Sequence, residues 1–164
     1  MPVELYRIDD RLIHGQVVVG WGQPLELRFV VLVDDEVAAS DWEQELYRMG
    51  VPPEMDVYFE SVDGAVRRHA QFAADARPGL LLTGDIETMR RLVQGVGGGI
   101  RKVNIGGIHH RAGRVQRLRY VFLAPEEERA LRALADSGVA VSAQDVPAAR
   151  AVPLDDLLDA RGDG

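Results

Sequence analysis

The chain has 164 residues, enough for one substantial core and short for two, and its 46% hydrophobic and 27% charged content is that of a packed globular domain, which excludes disorder. It contains no cysteine, so disulfides, thiolate zinc sites and cysteine nucleophiles are excluded, and a reducing compartment is expected. A net charge of −7 argues against nucleic acid as a partner, and no run approaches the roughly 20 apolar residues needed to cross a bilayer.

The N-terminal MPVELYRIDD lacks the basic and apolar regions of a secretion signal, so the protein is expected in the cytoplasm or at a membrane periphery. VELYRI at 3–8 is the first predicted strand, followed by a loop from Asp9 to Gly15 and a short helix starting near Gln16. LRFVVLV at 27–33 and MDVYFE at 55–60 are the next two strands. Over 61–76, Val62, Ala65, Val66, His69, Phe72 and Ala73 share one helical face, Ser61 can cap its start, and His69 is expected to be a partly buried structural residue. GLLLTG at 79–84 is a fourth strand. GVGGGI at 95–100 reads as a helix-to-strand connection; it follows a helix and no Lys-Ser/Thr pair comes after it, so it does not read as a phosphate loop. KVNIGG at 102–107, LRYVFL at 118–123 and a weaker VAVSAQ at 139–144 complete seven predicted strands. Pro125 with Glu126, Glu127 and Glu128 suits the first turn of a helix over 125–137. The tail from Val152 reads as a short helix that frays.

Continuous apolar strands separated by helices imply an α/β domain with a doubly wound, largely parallel sheet and helices on both faces, formed by residues 1–164 as one unit. In such sheets ligands collect at the carboxyl ends of the strands. RIDDRLIHGQ at 7–16 lies at that end of the first strand. A neutral imidazole is a competent nucleophile near neutral pH once its tautomer is fixed, and phosphoryl transfer asks little of a protein beyond positioning and charge compensation. His14 is therefore the candidate nucleophile and Arg11 the candidate phosphate fork. Asp9 or Asp10 could hold the second ring nitrogen of His14, while the other ties down the loop as a turn residue. Gly15 leaves room for a donor to approach, and one histidine with no second at i+4 does not make a metal site.

RIDDRLIHGQV followed by Trp21 closely resembles the signature of the IIB components of the mannose/fructose/sorbose family of the bacterial sugar phosphotransferase system. VVLVDDEVA at 30–38 and NIGGI at 104–108 with Gly113 are similar to further segments of that family. The resemblance implies a seven-stranded, largely parallel sheet without cofactor or metal, and a protein-N(pi)-phosphohistidine–sugar phosphotransferase activity. His14 would accept a phosphoryl group from a phosphorylated IIA protein, Arg11 would contact it, and the sugar would enter through a membrane IIC/IID complex. Ile108 stands where the family has Met, and TGDIETMRRL at 83–92 lacks a Pro-x-Asp. The alternative is a regulatory phosphorelay or binding module of the same fold without sugar transport.

Gly106, Gly107, His109 and His110 follow a strand and should open on the same rim as His14, where the histidines are either incidental or a second contact to phosphate. Asp34 either lines that rim or caps the next helix. Between Arg101 and Arg119 six basic residues, Arg111 and Arg114 among them, occur without a carboxylate. They either form a docking surface beside the active loop or pair with the acidic helix that begins near Glu126. A homo-oligomer is a possible assembly.

Overall fold

The computed structural model describes residues 3–159. The longest apolar runs, FVVLV and GLLLT, become β2 (Phe29–Val33) and β4 (Gly79–Thr83), and every residue of both is buried, as expected for strands covered on two sides. They sit inside a seven-stranded sheet of order β3-β2-β4-β1-β5-β8-β9, with β1 at Val3–Ile8, β3 at Asp56–Glu60, β5 at Lys102–Ile105, β8 at Ala140–Ala143 and β9 at Val152–Pro153. All pairings are parallel except β8 with β9.

Helix starts follow the capping chemistry of the sequence. Ser61 caps α4 (Val62–Ala74), Asp85 caps α5 (Ile86–Val96), Ser40 caps α3 (Asp41–Arg48) and Asp34 caps α2 (Asp35–Ala38), each accepting a backbone N–H three residues on. Pro125 opens α6 (Pro125–Asp136), where the Glu127 carboxylate accepts the Ala124 N–H at 2.8 Å. Gly97, at φ +71°, ends α5 in the left-handed region and leads into β5, so GVGGGI is the predicted connection.

From β1 the chain steps outward to β2 and then β3, burying Val17 and Val18 of α1 (Gly15–Val18) and Val37 of α2 against one face. From β3 it returns through β4 and crosses β1 to reach β5 and β8, packing Phe72, Met89, Leu92 and Leu131 of α4, α5 and α6 on the other face. The loops leaving the adjacent strands β1 and β5 therefore part to opposite faces, which makes the carboxyl edge between them the crevice where such sheets bind ligands.

One predicted strand is corrected. LRYVFL does not join the main sheet: the chain turns at Arg119–Tyr120, and 118–123 is divided between β6 (Val115–Leu118) and β7 (Val121–Leu123), an antiparallel hairpin on its own. Neither turn residue has a positive φ, so no glycine or asparagine is required there and the turn leaves no mark in the sequence. The hairpin closes the core with Leu118, Val121 and Leu123, while Tyr120 and Phe122 bond the backbone of Ile108. The seventh strand of the sheet is instead the two-residue β9, immediately before α7 (Leu154–Asp159). The predicted fraying beyond α7 falls outside the described residues.

Candidate functional site

The site rests on a charged residue inside an apolar strand. Arg7 of β1 is fully buried, a position that costs several kcal/mol for a lone cation unless its donors are matched. Here Nη1 donates to the Asn104 side chain and to the Gln144 carbonyl at 2.8 Å, and Nη2 donates to the Asp145 carbonyl at 3.1 Å and to Asp9 Oδ2 at 3.2 Å. The guanidinium carbon lies 4.6 Å from the centre of the Trp21 ring, whose π face adds cation attraction.

Asp9, also fully buried, couples Arg7 to the rim. Its Oδ1 accepts Arg11 Nε at 2.8 Å and the Arg11 N–H at 3.2 Å, and its Oδ2 accepts Arg11 Nη2 at 2.6 Å, a two-pronged pair that also forms a turn. Burial pushes the Asp9 carboxyl up, but the hydrogen bond from Arg11 and the charges of Arg7 and Arg11 outweigh it and hold the group below the usual carboxylate range. Arg11, whose side chain is 20% exposed, carries a positive charge of this cluster to the surface.

Two glycines let β5 pass over this cluster. A Cβ on Gly106 would lie 2.6 Å from Arg7 Cζ and closer still to Arg7 Nη2 and Asp9 Oδ2; one on Gly107 would lie 3.3 Å from Asp9 Oδ1 and 3.4 Å from Arg11 Nε. The loop itself holds Leu12 at φ +57°, a conformation that costs a leucine roughly 1–2 kcal/mol and is found where surroundings enforce it. His14 is exposed at the loop's end, and its carbonyl accepts the N–H groups of Val17 and Val18 at 2.9 Å. The helix it begins, α1, is a single turn of four residues, too short for much macrodipole. A Cβ on Gly15 would meet nothing within 4 Å, so the approach to His14 is open there.

Asp10 leads across the crevice, with Oδ1 2.6 Å from His109 Nδ1 and Oδ2 accepting the His109 N–H at 2.7 Å. The imidazole that an aspartate of the motif orients is thus that of His109. His110 is exposed and packs edge-on against Phe122, and Arg111 is exposed. Asp34 caps α2 two strands away from β1, accepting the Val37 N–H at 2.9 Å. His69 is buried and bonded to the Tyr6 hydroxyl at 2.7 Å.

The basic run is not one surface. Arg101 and Lys102 stand at the amino edge of the sheet, opposite His14, because β5 starts there. Arg114 and Arg117 pair with Glu127 and Glu128 of α6 at 2.8 and 2.7 Å, so these two serve the internal pairing. Sequence reasoning missed Arg7 as a site residue and missed its partners Asn104 and Gln144. The available signal was a charged residue at the penultimate position of a strand that is otherwise apolar near its end. Among the described residues no three His, Asp or Glu side chains gather as a metal site, and no helix is long and apolar enough to cross a membrane.

Residues 3–163 match the family described as PTS system sorbose subfamily IIB component. The chain belongs to this family. The N-acetylgalactosamine-specific phosphotransferase enzyme IIB component 1 of Escherichia coli (strain K12) is 34% identical over 146 residues, 87% of this chain and 90% of the relative. The PTS system mannose-specific EIIAB component of the same organism is 31% identical over 160 residues, 96% of this chain but 49% of the relative. The crystal structure of the IIBSor domain of the sorbose permease from Klebsiella pneumoniae superimposes with a TM-score of 0.87 at 30% identity, covering 97% of this chain and 98% of that one. As a sorbose-subfamily IIB component the protein acts in sugar phosphotransfer, and its mostly parallel seven-stranded sheet is that of its relatives.

Proposed function

We propose that this IIB component is a phosphohistidine carrier in which His14 takes a phosphoryl group from the phosphohistidine of a IIA protein. It then delivers the group to a sugar entering through a membrane IIC/IID complex, with which the cytoplasmic protein associates peripherally. The observation that carries this reading is an exposed imidazole in the loop at the sheet's switch point, three residues after Arg11, whose guanidinium is anchored by a fully buried carboxylate. In the loading step an imidazole nitrogen of His14 attacks phosphorus, a new N–P bond forms, the donor's N–P bond breaks and the donor imidazole leaves. In the delivery step a sugar hydroxyl attacks, an O–P bond forms, the N–P bond on His14 breaks and the hydroxyl proton is released. In both, charge gathers on the phosphoryl oxygens, and the Arg11 guanidinium, anchored by Asp9, is fixed beforehand to meet it.

The sugar is not set by this chain's overall likeness. Relatives whose names specify N-acetylgalactosamine, mannose and sorbose stand at 30–34% identity. The test supplies phosphorylated IIA protein, this chain and permease-bearing membranes with a panel of sugars. Sugar phosphate formed only when this chain is present supports the proposal. Label retained on this chain without transfer to any sugar would favour the regulatory phosphorelay, and no label on it would overturn the carrier reading.

A further inference from the structure

The His109 side chain is 71% exposed, yet the residue is held by three hydrogen bonds of its own. Its ring and its N–H both bond the Asp10 carboxylate, at 2.6 and 2.7 Å. Its carbonyl accepts Arg114 Nη1 at 2.8 Å, and Arg114 is itself held by Glu127. Behind it, the Asp10 N–H donates to the Gly107 carbonyl at 2.9 Å, and Ile108 is locked to the hairpin through Tyr120 and Phe122. Exposed pairs of this kind contribute little to stability, about 0–1 kcal/mol, so stability does not account for such construction.

What the arrangement does is orient a ring. With Asp10 accepting from Nδ1–H, the plane of the ring is set and Nε2 is left for another partner, as when a carboxylate orients a ligating or catalytic histidine. Asp10 lies four residues before His14 in the same loop, and His109 follows the glycines that cover the Arg11 cluster. The Asp10–His109 pair therefore spans the crevice between the loops that leave β1 and β5.

We propose that His109 is a further catalytic residue of phosphoryl transfer that acts as the imidazolium, Nδ1–H donating to Asp10 and Nε2–H to an oxygen of the phosphoryl group in transit at His14, with Asp10 as its positioning residue. The inference rests on the carrier reading of His14. No additional bond to phosphorus is made: the N–P bond on His14 forms, the donor's breaks, and His109 supplies only a hydrogen bond that strengthens as charge gathers on that oxygen.

The test is single-turnover transfer from a IIA protein carrying radiolabelled phosphohistidine to the full chain, with the labelled residue identified by peptide mapping. His109→Ala should melt like wild type, because the ring is exposed, yet transfer about a hundredfold more slowly, the effect of losing one preorganised donor. His109→Gln, which keeps an N–H at similar reach, should recover part of that loss. Asp10→Asn should slow transfer in the wild-type background and add nothing to His109→Ala, a non-additivity that a merely structural aspartate would not produce. Wild type labelled on His14 with His109→Ala transferring at the wild-type rate overturns the inference and leaves the carrier reading intact. Label on His109 itself overturns it as well, while a wild type that takes no label removes the carrier reading on which it stands.

Discussion

Asp9→Asn keeps the shape of the buried carboxylate and removes its charge. Asp9 and Arg7 are both without solvent exposure, and the three hydrogen bonds that Arg7 makes elsewhere go to neutral oxygens, so the substitution strands a cation in the core. Breaking a buried pair in this way costs about 3–5 kcal/mol. At roughly 2–4 °C per kcal/mol for a chain of this length, the melting temperature should fall by about 6–20 °C at neutral pH, measured by circular dichroism. The depressed carboxyl adds a second signature. A group whose native pKa lies below its ordinary value stabilises the fold above that ordinary value, 3.8 for Asp9, and the contribution is lost as pH falls through the native one. The gap between wild type and Asp9→Asn should therefore narrow as the pH falls below about 4, where protonated aspartate and asparagine carry the same charge. A variant melting within about 2 °C of wild type at neutral pH, or a gap unchanged in acid, would refute the claim that this carboxylate neutralises the buried arginine.

The glycines around the cluster separate packing from access. Gly106→Ala should cost about 1–3 kcal/mol of stability by crowding Arg7 and Asp9, and Gly107→Ala less, whereas Gly15→Ala should leave the melting temperature unchanged and slow transfer by narrowing the approach to His14; thermal melts paired with transfer rates check all three. Arg11→Lys keeps the charge but loses the two-pronged grip on Asp9, and single-turnover transfer should slow by roughly 10²–10³-fold. Burial pushes the Tyr6 hydroxyl up to about 12, so its proton is lost first from the unfolded chain, and stability should decline as pH rises from 10 towards 12. Tyr6→Phe should remove that alkaline limb in urea titrations while lowering stability overall, because His69 loses its 2.7 Å partner.

The strands were legible wherever burial on both faces left an unbroken apolar run, as at 29–33 and 79–83, and helix starts were legible from Ser61 and Pro125 because capping is local chemistry. The hairpin was not, since a turn at Arg119–Tyr120 without positive φ needs no marker residue and interrupts a run that looks continuous. Nor was β9, whose two residues join the sheet only through β8. At the site, the loop from Asp9 to Gly15 could be read from its place at a strand end, and with it Arg11 as the candidate phosphate fork. The depth of the cluster could not: besides Asp9, Arg7 depends on Asn104, Gln144 and Asp145, which reach it from β5 and from the segment after β8. Asp10 and His109 are likewise partners separated by 99 positions, which no local pattern records. The basic run misled because sequence adjacency hides that β5 carries Arg101 and Lys102 to the far edge, while α6 takes up Arg114 and Arg117.

The central claim is that His14 carries the phosphoryl group, and mapping the phosphorylated residue after exposure to a phosphorylated IIA protein tests it most directly. Acid-labile label confined to the peptide containing His14, and absent from a folded His14→Ala variant, is the predicted result. Label retained in that variant, or mapped to His69, His109 or His110, would contradict it.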